Sequence, residues 1–585
     1  MLKLLRFFKW YTWILCAIVI GIIVFQVELE MRLIKKMGEI VSLIQSSVTT
    51  GSLTSGALWD VGIDMILIAL GICVSVVFVN FLASMISSNF SKTLRSNIFK
   101  KVNSFSMEEM NKFSVASLIT RTTNDVKQVE QTVFVTLRMA ITAPVMGAYA
   151  IKEIVGSSVT LTWTTAGAVL LLLALVLFLF FVAVPKFAVI QKKTDKINNV
   201  TRENLSGIRV VRAYNAEDEQ EQKFEEVNTD LTKTQLFVNR VMSLLWPGMD
   251  LIMNGLCIAI YFIGAYLIDA GNLLYPELAM FVSYAMHVVM SFMFIAMLFV
   301  VIPRGVVSGK RINEVLITKN KITDGNLSIA KNTESDINNK VGEIEFKNVS
   351  FRYPDAEMNT LENISFKVEK GETIAFIGST GSGKSTLVNL ITRFYDATFG
   401  EITIDGENIK NYKLNDLNDK IGYVPQQGYL FSGTIKSNLL YGNKNATDEQ
   451  LKNALKISQS NFVEKLDGKM DYAIAQGGTN VSGGQRQRLS IARAIVKNPE
   501  FYIFDDSFSA LDYKTDKTLR KELAKNTKDA TKIIVAQRVG TIMHADQIVV
   551  LSEGKIVGVG KHKDLLKNCE VYKEIALSQL DKEEL

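Results

Sequence analysis

The chain has 585 residues, 48% of them hydrophobic and 21% charged, with a formal net charge of +6. That length excludes a single ordinary core, and the positive charge gathers beside apolar runs, which excludes a nucleic-acid-binding reading. The four cysteines (Cys16, Cys73, Cys257 and Cys569) have no paired spacing, which excludes a disulfide framework and a zinc site.

The N-terminal stretch MLKLLRFFKWYTW is basic and aromatic and lacks an A-x-A-like cleavage site. It predicts an interfacial helix that leads into a first span, not a cleaved signal. Six apolar runs follow, near 10–27, 61–88, 132–151, 159–184, 241–268 and 278–302. The run 159–184 carries no charge at all, and 278–302 has His287 as its one basic side chain. A buried soluble helix explains one such run but not six, so residues 1–316 read as an all-α, six-helix transmembrane domain. With the N-terminus inside, the outer segments carry only Arg32, Lys35, Lys36 and Lys152, whereas 88–131 and 185–243 are rich in Lys and Arg. This bias places the N-terminus and everything after the sixth span in the cytosol. The two basic stretches are rich in helix formers, so the membrane helices are expected to continue into the cytosol and turn back there.

Three features interrupt the spans. Arg138 in the third and Asp250 in the fifth are costly in a membrane; they either pair with each other or snorkel to the cytosolic interface. The sixth span holds Met280, Met286, Met290, Met293 and Met297 among several Phe residues, which suits a cavity for varied apolar cations or, more blandly, helix packing and lipid contact. His287 is either a proton-sensitive contact in that cavity or a packing residue.

Residues 317–340 are polar and poor in aromatics and read as a linker; 341–585 reads as a soluble α/β domain. There, TIAFI (373–377) is a short buried strand, and Leu387, Leu390, Ile391 and Phe394 recur at helical spacing. Between them lies GSTGSGKST, formed by Gly378, Ser379, Thr380, Gly381, Ser382, Gly383, Lys384, Ser385 and Thr386. This is the phosphate-loop pattern in its strand–loop–helix context: backbone N–H groups face phosphate oxygens, Lys384 reaches the β- and γ-phosphates, and the Ser385 hydroxyl ligates Mg²⁺. Downstream, VSGGQ (Val481, Ser482, Gly483, Gly484 and Gln485) has capping-box spacing at a helix start. That helix feeds the strand FYIF, which ends in Asp505 and Asp506. Two acids ending a buried strand are costly without a cation, so Asp505 reads as a metal-linked residue.

GSTGSGKST, VSGGQ, FYIFDD and SALD, in this order after six spans, resemble an ABC exporter half-transporter, a membrane domain fused to an ABC ATPase of the P-loop NTPase class. The resemblance extends over nearly the whole chain: SLITRTTNDVKQVE (117–130) and LSGIRVVRAYNAED (205–218) are similar to the family's intracellular helical loops. It implies ATP and Mg²⁺ as cofactors and a bacterial plasma-membrane location among lipids. It also implies that Tyr353 stacks on adenine, that Gln426 senses Mg²⁺ and that Asp512 ends the D-loop. Two departures flank the γ-phosphate. The family's glutamate is Asp506, roughly 1 Å shorter, and an error of that size costs about 100-fold in rate. The family's switch histidine is Gln537, which donates a hydrogen bond but does not titrate. A milder departure is AQGG (475–478), where many homodimeric exporters carry a Glu–Arg pair. The pattern resembles the degenerate-site subunit of a heterodimeric multidrug exporter, whose signature, with Val481 for the usual Leu, serves the ATP of a second, non-identical subunit. A homodimer that hydrolyses slowly with Asp506, an exporter of lipid, peptide or haem, and a regulatory subunit without its own substrate share these motifs.

Overall fold

A computed structural model of the chain describes residues 2–50, 55–327 and 342–580. The chain divides into two compact units, Met1–Asn103 with Val115–Thr318, and Ser104–Ser114 with Lys319–Leu585. Most of the expected linker, 328–340, lies outside the described residues.

The helices run in chain order as α1 (Trp10–Thr50), α2 (Ser55–Asn103), α3 (Met107–Lys112), α4 (Val115–Thr120), α5 (Val126–Ser157), α6 (Val159–Ala213), α7 (Glu217–Ser243), α8 (Leu245–Asp269) and α9 (Tyr275–Ile317), with a π-turn over Arg121–Asp125. Six helical stretches are long and apolar enough to cross a membrane, from Trp10–Ser46 to Tyr275–Ile317. All outrun the apolar runs that mark them. The 55 residues of α6 span about 80 Å, far more than a bilayer's hydrocarbon core of about 30 Å. The apolar run 10–27 likewise ends well inside α1, so polar residues just beyond it remain on the helix.

The core of the membrane unit joins Val19, Ile23 and Val27 of α1, Met146 and Ala150 of α5, and Phe281, Tyr284 and Val288 of α9. Small residues allow the close approach of α5 and α9: a Cβ on Gly147 would lie 2.8 Å from the Ser291 hydroxyl. Trp163, Phe181, Leu251 and Phe262 stay exposed, as expected of side chains whose solvent is lipid. At the π-turn, buried Arg121 pairs with Glu314 at 2.7 Å and Asp125 accepts from Ser308 at 2.9 Å, so the ends of α4 and α9 are tied by polar contacts where apolar packing runs out.

The second unit is built on two sheets. A four-stranded antiparallel sheet has the order Leu361–Val368, Ile344–Phe351, Phe399–Ile404, Glu407–Asn408. A six-stranded sheet has the order Lys555–Gly560, Gln547–Ser552, Thr373–Gly378, Thr531–Val535, Phe501–Asp505, Ile421–Val424, parallel except for its first pair. Strand alternation builds two cores from the same segments. Ile374, Phe376, Phe501 and Ile503 enter the core shared with the antiparallel sheet, while Ala375, Ile377, Tyr502 and Phe504 enter the core on the opposite face. A third cluster, with Leu430, Leu451 and Leu489, forms a helical subdomain. The chain entering this unit is pinned early: Arg393 donates to the Thr323 carbonyl at 3.1 Å, and Leu327 N–H to the Asn411 carbonyl at 2.8 Å.

Candidate functional site

Parallel strands end on one edge, and open α/β sheets bind ligands beyond that edge. Thr531–Val535 lies between the strand leading to the phosphate loop and the strand ending in Asp505, with Val535 paired to Asp505. The sheet order therefore brings Gly378, Asp505, Asp506 and Gln537 to one place.

The loop leaves its strand where only glycine fits, since a Cβ on Gly378 would lie 2.1 Å from the Leu551 carbonyl oxygen. Gly383 has φ +98 and starts the helix Lys384–Ile391. Ser379, Thr380 and Gly381 are exposed; Ser382, Lys384 and Thr386 are buried. Lys384 Nζ curls into the loop and donates to the Gly378 carbonyl at 2.8 Å and the Ser379 carbonyl at 2.7 Å. Burial lowers Lys384 below the ordinary lysine value, against the pull of Asp506 and Asp505. A cation held by the carbonyls of the phosphate loop, at the start of a helix, fits a polyphosphate.

Ser385 Oγ donates to Asp505 Oδ1 at 3.2 Å. Octahedral Mg²⁺ bonds of about 2.0–2.1 Å place neighbouring ligand oxygens about 2.9 Å apart, so this hard-oxygen pair fits that ion. Among the described residues no group of three or more His, Cys, Asp or Glu could hold a metal alone. Mg²⁺ held by Ser385 and Asp505 would need further oxygens from a nucleotide and would neutralise phosphate charge. Burial raises the Asp505 carboxyl above its ordinary value, with Asp506 beside it pushing the same way.

Asp506 differs from Asp505 in backbone conformation and in partners. Its φ is +46, a left-handed conformation uncommon outside glycine, which turns its carboxylate off the strand line. Its Oδ2 accepts from Gln537 Nε2 at 2.8 Å and from Gln426 Nε2 at 3.2 Å. Both departures from the family pattern thus meet at one oxygen. Burial raises its pKa as well, opposed by the Gln426 hydrogen bond and by Lys384.

Tyr353 shares a 3.1 Å hydrogen bond with Thr386 at the start of the phosphate-loop helix and stands edge-on to Tyr395, ring centroids 5.3 Å apart. Tyr395 in turn accepts from Asn111 of α3 at 2.8 Å. Within the second unit, then, the short helix from between α2 and α4 reaches the phosphate loop through two tyrosines.

The signature forms its own helix start. Ser482 accepts from Gln485 N–H at 3.2 Å while the Gln485 side chain accepts from Ser482 N–H at 2.9 Å. Ser482 and Gly483 are exposed; Val481, Gly484 and Gln485 are half-buried. Asp512 caps the next helix, Tyr513–Asn526, through Thr515 N–H at 2.9 Å. One residue beside the nucleotide site escaped the sequence reading. Gln487 is buried, donates to the Pro425 carbonyl at 3.0 Å and accepts from Gly428 N–H at 2.8 Å, which fastens the loop bearing Gln426 to the signature helix. Its signal was periodicity: Gln487, Ile491 and Ala494 form one buried stripe.

In the membrane unit, Arg138, His287 and Met290 line one cavity, together with Gln26, Glu30 and Asn80, which sequence reasoning missed. Asp250 is exposed on α8 and is not among the lining residues, and no ion pair joins it to Arg138 among the described residues.

Residues 31–293 match the family described as ABC transporter transmembrane region, and 361–509 match the family described as ABC transporter. An uncharacterized ABC transporter ATP-binding protein of Mycobacterium tuberculosis is 38% identical over 502 residues, 85% of each chain. A probable multidrug resistance ABC transporter ATP-binding/permease protein of Bacillus subtilis is 31% identical over 577 residues, 98% of this chain and 96% of the relative. The fold is similar to that of a bacterial Atm1-family ABC exporter solved with ATP bound, with a TM-score of 0.80 and 23% identity over 99% of each chain. The chain therefore belongs to the ABC transporter family, as a multi-pass plasma-membrane exporter whose six-helix region is fused to a cytosolic ATP-binding domain.

Proposed function

We propose that this chain is the degenerate-site subunit of a heterodimeric exporter of amphipathic, largely lipophilic compounds. Exporters of this fold act as dimers in lipid, and the proposal concerns which subunit this is. The observation that carries it is the state of Asp506. A general base must reach its water and accept a proton. Here the carboxylate is one methylene short, and its Oδ2 is occupied by the amides of Gln426 and Gln537, neither of which titrates. Such a site holds Mg·ATP through Lys384, Ser385 and Asp505, with Gln426 at its metal side and Tyr353 at its base, and leaves it mostly uncleaved. Val481 to Gln485 would then complete the hydrolytic site on a non-identical partner, with Asp512 beside the join. The names of multidrug relatives support the substrate class; the chain's own motifs are shared by lipid, peptide and haem exporters.

The test is the ATPase rate of the purified chain in lipid, alone and with a co-expressed second subunit. Turnover is expected only in the second case, and Asp506→Gln should leave that turnover within about twofold, whereas loss of a working base costs about 100-fold or more. Robust turnover of the chain alone, abolished by Asp506→Gln, would establish a homodimer with a short working base.

A further inference from the structure

A cavity of ≈ 360 Å³ lies among α1, α2, α5 and α9, within the membrane unit. It is lined by an acid and a base that are not joined to each other. Glu30 of α1 accepts from Gln26, one turn earlier, at 2.9 Å and makes no ion pair among the described residues. Arg138 of α5 makes none there either. His287 spends its Nδ1 on the Ser283 carbonyl, 2.8 Å away on its own helix, and so does not bridge them through that atom. Beside the polar Asn80 and Thr142, the rest of the wall is soft and apolar, with Met286, Met290 and Phe294 of α9.

Charges among membrane-spanning helices are costly and are kept where they pair or work. Opposite charges retained only to balance one another would close into an ion pair. These two stand apart on a shared volume that methionines can fit to varied shapes. The volume is near the lower end of the roughly 300–1,000 Å³ seen for ligand pockets, so the occupant is small. An apolar cation would leave Arg138 unpaired, an anion would leave Glu30 unpaired, and a neutral lipophile would leave both.

We propose that this cavity binds a small amphipathic zwitterion, with its anionic group on Arg138, its cationic group on Glu30 and its apolar body against the methionines and Phe294. The proposal rests on the exporter reading and narrows its substrate class.

The test uses the full-length protein in lipid nanodiscs and two fluorescent probes. One is a free-acid rhodamine, a zwitterion; the other is its methyl ester, which keeps the cation and loses the anion for one added methyl group. Fluorescence polarisation gives both affinities. The acid should bind at least about tenfold tighter than the ester. Arg138→Gln should erase that preference while retaining ester binding, which also shows the variant is folded, and Glu30→Gln should weaken both probes. No binding of the acid, equal affinities in the unaltered protein, or a preference that survives Arg138→Gln would overturn the proposal. Export is read separately, as ATP-driven uptake of the acid into inverted vesicles. Charge-dependent binding without uptake would count against the exporter reading and still support the zwitterion site.

Discussion

The two sides of the nucleotide site share one sheet edge, yet they are equipped for different tasks. On the phosphate side, Lys384 sits among loop carbonyls and Ser385 sits 3.2 Å from Asp505, and these are the groups proposed to hold Mg·ATP. On the water side, Asp506 is short, turned off its strand and bonded to two glutamines. Under the proposed function, holding a nucleotide and cleaving it are separable, because the two sets of residues leave the sheet at different points. The holding groups are set by the phosphate loop and the last residue of a buried strand. The cleaving groups begin one residue later, in loops that accept substitution without loss of the core.

Three changes would break or sharpen that contrast. The largest effect is expected from Ser482→Ala. It removes a hydroxyl that the proposed partner site uses, and with it a helix cap of about 1 kcal/mol. Turnover of the two-subunit complex should fall roughly 100-fold, the cost of losing one preorganised donor, while ATP binding to this chain's own phosphate loop persists. Undiminished turnover would place the signature outside the hydrolytic site. Next, Lys384→Ala should weaken Mg·ATP binding to this chain about ten- to hundredfold in calorimetric titration, since hydrogen bonds to charged groups contribute about 1.5–3 kcal/mol. Unchanged affinity would end the idea of a holding site.

The smallest effect concerns stability. Burial keeps the Asp505 carboxyl above its ordinary value of 3.8, so the folded chain holds that proton to higher pH than the unfolded chain does. Below 3.8 both states are protonated and no penalty applies; as pH rises through the raised value, stability is lost. Asp505→Asn should therefore raise the melting temperature of the nucleotide-free protein by a few degrees at neutral pH, with no gain in acid. It should also abolish Mg²⁺-dependent binding. A melting temperature that falls would show Asp505 to be stabilised as an anion and contradict the reading of a site that awaits a cation.

The nucleotide site was largely legible because its motifs are short and their geometry is local. Glycine spacing sets the phosphate loop, and Ser482 caps its helix with Gln485, three residues on. Gln487 was missed because its partners, Pro425 and Gly428, are far from it in the chain. Arg138, His287 and Met290 were each visible as oddities in apolar runs, but Glu30 fell just past the end of one and looked like a flank. The long continuation of α1 makes it part of the cavity wall.

By itself, the sequence determined six membrane helices, their orientation and the presence of a phosphate loop, a buried strand ending in two acids and a signature helix start. These follow from hydropathy, charge bias and backbone geometry over a few residues. Only the tertiary structure decided that Gln426 and Gln537 converge on one Asp506 oxygen, and that Glu30 and Arg138 share a cavity without pairing. Such meetings depend on the order of strands in a sheet and on which helices pack side by side. Side chains brought together in that way are neighbours in space without being neighbours in any local pattern.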